Sequence, residues 1–206
     1  MKIAVLAANG NAGKMIVKEA LEAGHSVSAF VRRKFEGDAR ANVVIKDNLE
    51  LTSDDLVGFD AVIDAYGVWD NVDEFVREGE VVLEAVRKSG ARVVFVGGAG
   101  SSMVGDEYLV DTADFPAEYR PLASAHLQRA KAITKDTASR WSLFLPAAEF
   151  DLEGRLGEYE IDASGALKLN SKGESYISYA TYAKALINEV LKPHYLHKII
   201  MATQES

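Results

Sequence analysis

The chain has 206 residues, 48% of them hydrophobic, long enough for one well-buried core and short for two separate ones. Its 23 Lys and Arg stand against 31 Asp and Glu, and the resulting formal charge of −8 repels the phosphate backbone, so no nucleic-acid partner is expected. With no Cys, disulfides, thiolate nucleophiles and sulfur-ligated metals are excluded.

Short β-branched runs alternate with helical stripes along the chain, the pattern of βαβ units around a parallel sheet. The first strand is expected over 3–7, followed by a helix whose stripe is Ala12, Met15, Ile16 and Ala20 and which closes at Gly24. Strands follow over 26–31, 43–46 and 61–65. Val72, Phe75, Val76, Gly79, Val82, Leu83 and Val86 then repeat at three- and four-residue steps, giving a helix that ends near Ser89-Gly90. A strand over 92–96, a helix over 122–133 and a strand over 142–145 come next. The last stripe is Ala183, Leu186, Ile187, Val190 and Leu191, stopped by Pro193. Most of these strands are nearly all apolar, as strands covered on both faces must be.

The fold class expected is α/β, one Rossmann domain over 1–206 with a doubly wound parallel sheet. A small substrate-side cap is expected over roughly 146–178, where Gly154, Gly157 and Gly165 punctuate Tyr159-Glu160-Ile161 and Leu167-Lys168-Leu169. No run approaches the roughly 18 apolar residues of a membrane helix, and the N-terminus lacks the basic start and cleavage region of a signal peptide. A cytoplasmic protein with no membrane partner is expected.

The sharpest motif is Ala7-Ala8-Asn9-Gly10-Asn11-Ala12-Gly13, directly after the first strand and opening the first helix. A tight turn there brings backbone N–H groups and the positive end of a helix to a pyrophosphate. Gly10 removes a side chain where the phosphate approaches, and Gly13 lets helix and strand pack closely. Alanine replaces the first glycine of the usual fingerprint, at Ala7 or Ala8 according to spacing. About 20 residues further on, where an NAD-selective site carries an acid for the ribose 2′-hydroxyl, the chain reads Arg32-Arg33-Lys34. Guanidinium groups grip a 2′-phosphate that an acid would repel, so NADP(H) is favoured with NAD(H) still possible.

These segments, with Asp47-Asn48-Leu49, Ala65-Tyr66-Gly67-Val68-Trp69, the run from Val96 through Gly100 to Ser101, Asp114-Phe115-Pro116, residues 141–146 and the run from Gly173 to Ser178, resemble the atypical short-chain dehydrogenase/reductases. The nearest group is the small NAD(P)H-binding, NADH-flavin reductase-like proteins, which are also similar to biliverdin reductase B. The resemblance implies Asp47 beside the adenine, Tyr66 and Gly67 beside the ribose and nicotinamide side, and Gly97, Gly98 and Pro146 around the nicotinamide. Thr181 stands where that family commonly has an acid.

No lysine falls four residues after any of the eight tyrosines, so the Tyr-x-x-x-Lys acid of ketone-reducing relatives is absent. A carbonyl that receives hydride needs a positioned acid, whereas a flavin or quinone delocalises the charge. The sequence names no catalytic residue. Trp69, Ser101 and Phe150 are candidates for the pocket of a planar small-molecule acceptor, while His126 reads as a surface or packing residue. Neither His194 nor His197 has a carboxylate arranged beside it in sequence, and no metal site is expected. Two function classes follow: a reductase passing hydride to a flavin or quinone-like ring, or a redox sensor that binds the dinucleotide without turnover. Oligomeric state is not legible.

Overall fold

The computed structural model describes residues 1–67 and 71–205. Trp69 lies outside the described residues. In chain order the regular elements are β1 (Lys2–Leu6), α1 (Asn11–Glu22), β2 (Ser26–Val31), β3 (Asn42–Ile45), β4 (Ala61–Asp64), α2 (Val72–Ser89), β5 (Arg92–Val96), β6 (Met103–Val104), β7 (Glu107–Tyr108), α3 (Arg120–Thr134), β8 (Arg140–Leu145), β9 (Glu149–Asp151), β10 (Tyr159–Asp162), β11 (Tyr176–Ser178), α4 (Tyr179–Leu191) and β12 (Ile199–Gln204).

Eight strands form the central sheet in the order β10-β12-β8-β5-β4-β1-β2-β3, and every neighbouring pair is parallel except β10 with β12. Alternate residues of each central strand face opposite cores. Ile3 and Val5 of β1 join Ile16, Val17 and Ala20 of α1 and Leu186 and Val190 of α4 on one side. Ala4 and Leu6 join Val82 and Val86 of α2 and Ala130 and Ile133 of α3 on the other. Helices therefore cover both faces, and the fold is a Rossmann-like α/β fold.

The helix ends follow from local chemistry. Gly90, at φ 75°, takes the left-handed cap that closes α2, and Asn71 opens that helix by accepting from the Glu74 N–H at 3.1 Å. Pro121 stands in the first turn of α3, where its missing N–H costs nothing.

Two differences from the sequence reading concern the C-terminal part. Residues 199–204 form β12, a strand parallel to β8, although the hydrophobic pattern ends in Thr203-Gln204. Those polar residues are buried, and Gln204 is tied to the loops around it: its amide oxygen accepts from the Ser178 N–H at 3.1 Å and its Nε2 donates to the Arg155 carbonyl at 3.1 Å. Tyr159–Asp162 pairs antiparallel with this strand and so extends the main sheet, while Leu167–Leu169 is not a strand. Within 146–178 a separate two-stranded ladder remains, β9 with β11.

Candidate functional site

The strand order reverses between β1 and β4, because the chain runs outward through β2 and β3 and then returns to build β4, β5, β8 and β12 on the other side. Ligands of doubly wound sheets bind at this point, outside the carboxyl ends of the strands. A cavity of about 560 Å3 opens there, lined by Ala7, Asn9 and Gly10 after β1, Phe30, Val31, Arg32 and Arg33 at the end of β2, Asp47 and Asn48 after β3, and Ala65, Tyr66 and Gly67 after β4. Eight of the twelve expected cofactor residues thus meet around one space: Ala7, Asn9, Gly10, Arg32, Arg33, Asp47, Tyr66 and Gly67.

The turn after β1 is tight, with the Gly10 N–H donating to the Ala7 carbonyl at 3.0 Å. Ala7 sits at φ 53°, a left-handed conformation that glycine adopts without steric cost, which explains why a glycine is usual at this position. Gly13 is fixed by packing, since a Cβ there would come within 2.7 Å of the Ala7 carbonyl oxygen and 2.8 Å of the Ala8 Cα. Gly10 is different: its φ of −67° is ordinary, and the nearest atom to a Cβ would be 3.4 Å away. No side chain caps α1 and no acid occupies its first turn, so its positive end faces the cavity without a counter-charge of its own.

Asn9 has a structural task. Its amide donates to the Lys34 carbonyl at 2.9 Å and accepts from the Glu36 N–H at 2.9 Å, so both of its functions hold the segment after β2 against the turn. Arg32 and Arg33 are thereby presented at the cavity with their side chains exposed. The ion pairs of this segment, Lys14 with Glu36 and Arg40 with Asp38, leave both guanidinium groups aside. Asp47 caps the short turn at Asn48–Glu50 by accepting from the Leu49 N–H at 3.0 Å.

Behind the cavity lies a buried charge cluster that the sequence reading missed. Arg129 of α3 donates to Asp64, the last residue of β4, and to Glu78 of α2 at 2.8 Å. Asn48, on the cavity wall, donates to the other Glu78 oxygen at 2.7 Å, and Asp64 accepts from the Tyr66 N–H at 3.0 Å. The Tyr66 hydroxyl donates to Glu74, and burial together with that carboxylate raises its pKa. With two carboxylates on one guanidinium, burial and the Asp64 charge push the Glu78 carboxyl up to about 8. Two signals in the sequence mark the cluster: an acid ending the apolar run Ala61-Val62-Ile63, and Gly79 on an apolar helical stripe, where a Cβ would come within 2.6 Å of the Arg129 guanidinium.

The remaining described candidates lie outside that cavity. Gly97 packs on Leu143 and Leu145. Asn11 hydrogen-bonds the Tyr179 hydroxyl, and Tyr179 stacks face to face on Phe150 with centroids 3.6 Å apart, so Phe150 is joined to the phosphate turn. Ala12 packs against the core on the α1–α4 side. Ser101 is buried, and its hydroxyl has no partner among the described residues, whereas Ser102 donates to the Ala99 carbonyl at 2.6 Å. Thr181 sits in the first turn of α4, accepting from the Gly157 N–H at 2.9 Å. Glu189 accepts from the backbone N–H groups of His194 and Tyr195, and the His197 ring lies 2.8 Å from the Ser139 carbonyl.

A phosphate turn, an uncapped helix and a switch-point cavity define a dinucleotide-binding protein. The chain belongs to the NAD(P)H-binding family, whose profile matches residues 7–193. The uncharacterized protein YwnB of Bacillus subtilis is 36% identical over 213 residues, spanning 100% of both chains. A solved structure from Streptococcus pneumoniae TIGR4, of a protein provisionally described as an NADH-flavin reductase, is 38% identical and superposes with a TM-score of 0.95 over 100% of both chains. Another, from Burkholderia pseudomallei and provisionally described as an exported protein, is 30% identical with a TM-score of 0.89, covering 98% of this chain and 99% of that one. Among the described residues no helix is long and apolar enough to cross a membrane.

Proposed function

We propose that the protein is an NAD(P)H-dependent reductase, with NADPH preferred, that passes hydride to a flavin or quinone-like ring. The observation that carries the reading is the cavity itself, where an uncapped helix end and two exposed arginines meet at the switch point with no acid at the end of β2. The residues fit a dinucleotide bearing a 2′-phosphate: the N–H groups opening α1 hold the pyrophosphate, Arg32 and Arg33 hold the 2′-phosphate, and Asp47, Asn48 and Tyr66 wall the adenosine. When bound, the nicotinamide supplies hydride chemistry, and the protein contributes alignment and exclusion of water.

The absence of a Tyr-x-x-x-Lys acid supports an acceptor that stabilises its own reduced charge. Similarity to the Streptococcus pneumoniae protein supports the same acceptor class. Steady-state NADPH oxidation with a panel of flavins and quinones tests the proposal, and turnover with at least one of them is expected. Tight NADPH binding with no oxidation across the panel would favour the sensor reading instead.

A further inference from the structure

Gly67, after β4, is the last described residue along that wall of the cavity, and the next strand along the carboxyl edge is β5, about 4.8 Å beyond. What stands there is a histidine. His126 of α3 lays its ring on Gly98, two residues after β5, so closely that a Cβ at that position would come within 2.9 Å of the imidazole. Phe75 of α2 covers another side, with ring centroids 4.5 Å apart. As a residue His126 is half-buried. Among the described residues neither ring nitrogen has a hydrogen-bond partner.

The charged groups beside it are Arg129 on its own helix and, through Arg129, Asp64 at the end of β4 and Glu78 of α2. Burial and the Arg129 charge push the His126 pKa down to about 3. The ring is therefore neutral at physiological pH, with one nitrogen donating and the other accepting. Neither ring nitrogen is sealed from solvent without a partner, so a ligand's amide can take the place of water on the ring.

We propose that His126 is a recognition contact of the crevice, hydrogen-bonding as a neutral imidazole to an amide-bearing heteroaromatic ring that docks beside Gly98. Both the nicotinamide carboxamide and the carbonyl edge of a flavin have this chemistry. The inference rests on the reading that a nicotinamide dinucleotide occupies the switch-point cavity.

The test is calorimetric titration of wild type, His126→Phe and His126→Gln with 2′-phospho-ADP-ribose, with NADP+, and with FMN added to the NADP+-saturated protein. His126→Phe is expected to leave 2′-phospho-ADP-ribose affinity unchanged and to weaken one of the ring-bearing ligands about 10-fold, with His126→Gln recovering most of the loss. Weakening in the NADP+ titration assigns the contact to the nicotinamide, and weakening only on FMN addition assigns it to the acceptor. Unchanged affinity for both overturns the inference while leaving the dinucleotide site standing. Failure of wild type to bind NADP+ or NAD+ at all overturns the site and the inference together. Should the phenylalanine variant misfold, the imidazole nitrogen resonances of wild-type His126 decide: a shift on adding NADP+ or FMN is expected, and no shift with either overturns the proposal.

Discussion

Replacing Gly10 with valine separates binding from folding, because the two glycines of the turn are held by different forces. Gly10 has φ −67° and ψ 164°, which any residue adopts, and a Cβ there would lie 3.4 Å from the Ala7 carbonyl oxygen and 4.0 Å from that of Ala65. The stability of Gly10→Val is therefore expected within about 1 kcal/mol of wild type. Its methyl groups enter the cavity that Gly10 lines and displace a pyrophosphate from the N–H groups opening α1. Losing one or two charge-assisted hydrogen bonds, each worth about 1.5–3 kcal/mol, amounts to roughly 3 kcal/mol, or about 100-fold in affinity. Gly13→Ala is expected to do the reverse. Its Cβ would meet three backbone atoms of Ala7 and Ala8 at 2.7–2.9 Å, none of which can swing aside, so the cost falls on folding at roughly 1–3 kcal/mol. Calorimetry with NADPH and thermal unfolding read the two effects. A folded Gly10→Val protein that binds NADPH as wild type does would refute the placement of the pyrophosphate.

Wild type is expected to bind NADPH more tightly than NADH, and combining Arg32→Ala with Arg33→Ala should narrow the gap by about 1–3 kcal/mol; equal wild-type affinities in calorimetry would contradict the role given to these arginines. The raised Glu78 pKa means that the folded state binds this proton more tightly than the unfolded chain. Its stabilising contribution is full below the ordinary carboxylate pKa near 4.5 and is lost as pH rises to about 8. Glu78→Gln should remove that downward slope, worth up to about 1.4 kcal/mol per pH unit, in denaturant unfolding followed from pH 5 to 8, and a slope unchanged in the variant would show that the proton resides elsewhere. Arg92, buried against Glu189 at 2.6 Å at the amino end of β5, opposite the carboxyl edge that carries the cavity, tests the converse. Arg92→Met leaves the buried Glu189 carboxylate without its guanidinium counter-charge, held by backbone N–H groups alone, and should cost about 3–5 kcal/mol in unfolding while NADPH affinity in the folded protein stays as in wild type.

The elements that position the cavity were legible because each carries a local signature. The apolar strand, the glycine turn and the helical stripe place β1 and α1 within a residue or two, and an acid-free end of the second strand marks the arginines. The β12 strand was not legible, since its buried Thr203 and Gln204 are there to hydrogen-bond loops and break the apolar pattern. The Asp64–Arg129–Glu78 cluster joins β4, α2 and α3, and partners 51 and 65 residues apart in the chain leave no spacing to read. Asn9 and His126 illustrate the remaining gap: residue type and position were clear, but the Lys34 and Glu36 backbone contacts of one and the Gly98 contact of the other exist only once the sheet has brought those segments together.

The most direct test of hydride transfer within this crevice is a single turnover in which protein preloaded with NADPH is mixed rapidly with FMN or a quinone and the nicotinamide absorbance is followed. The account predicts that bound NADPH is oxidised faster than free NADPH, and that the rate falls when deuterium replaces hydrogen on one face of the nicotinamide and not on the other. Oxidation of bound NADPH no faster than free, or an isotope effect indifferent to the face, would contradict it.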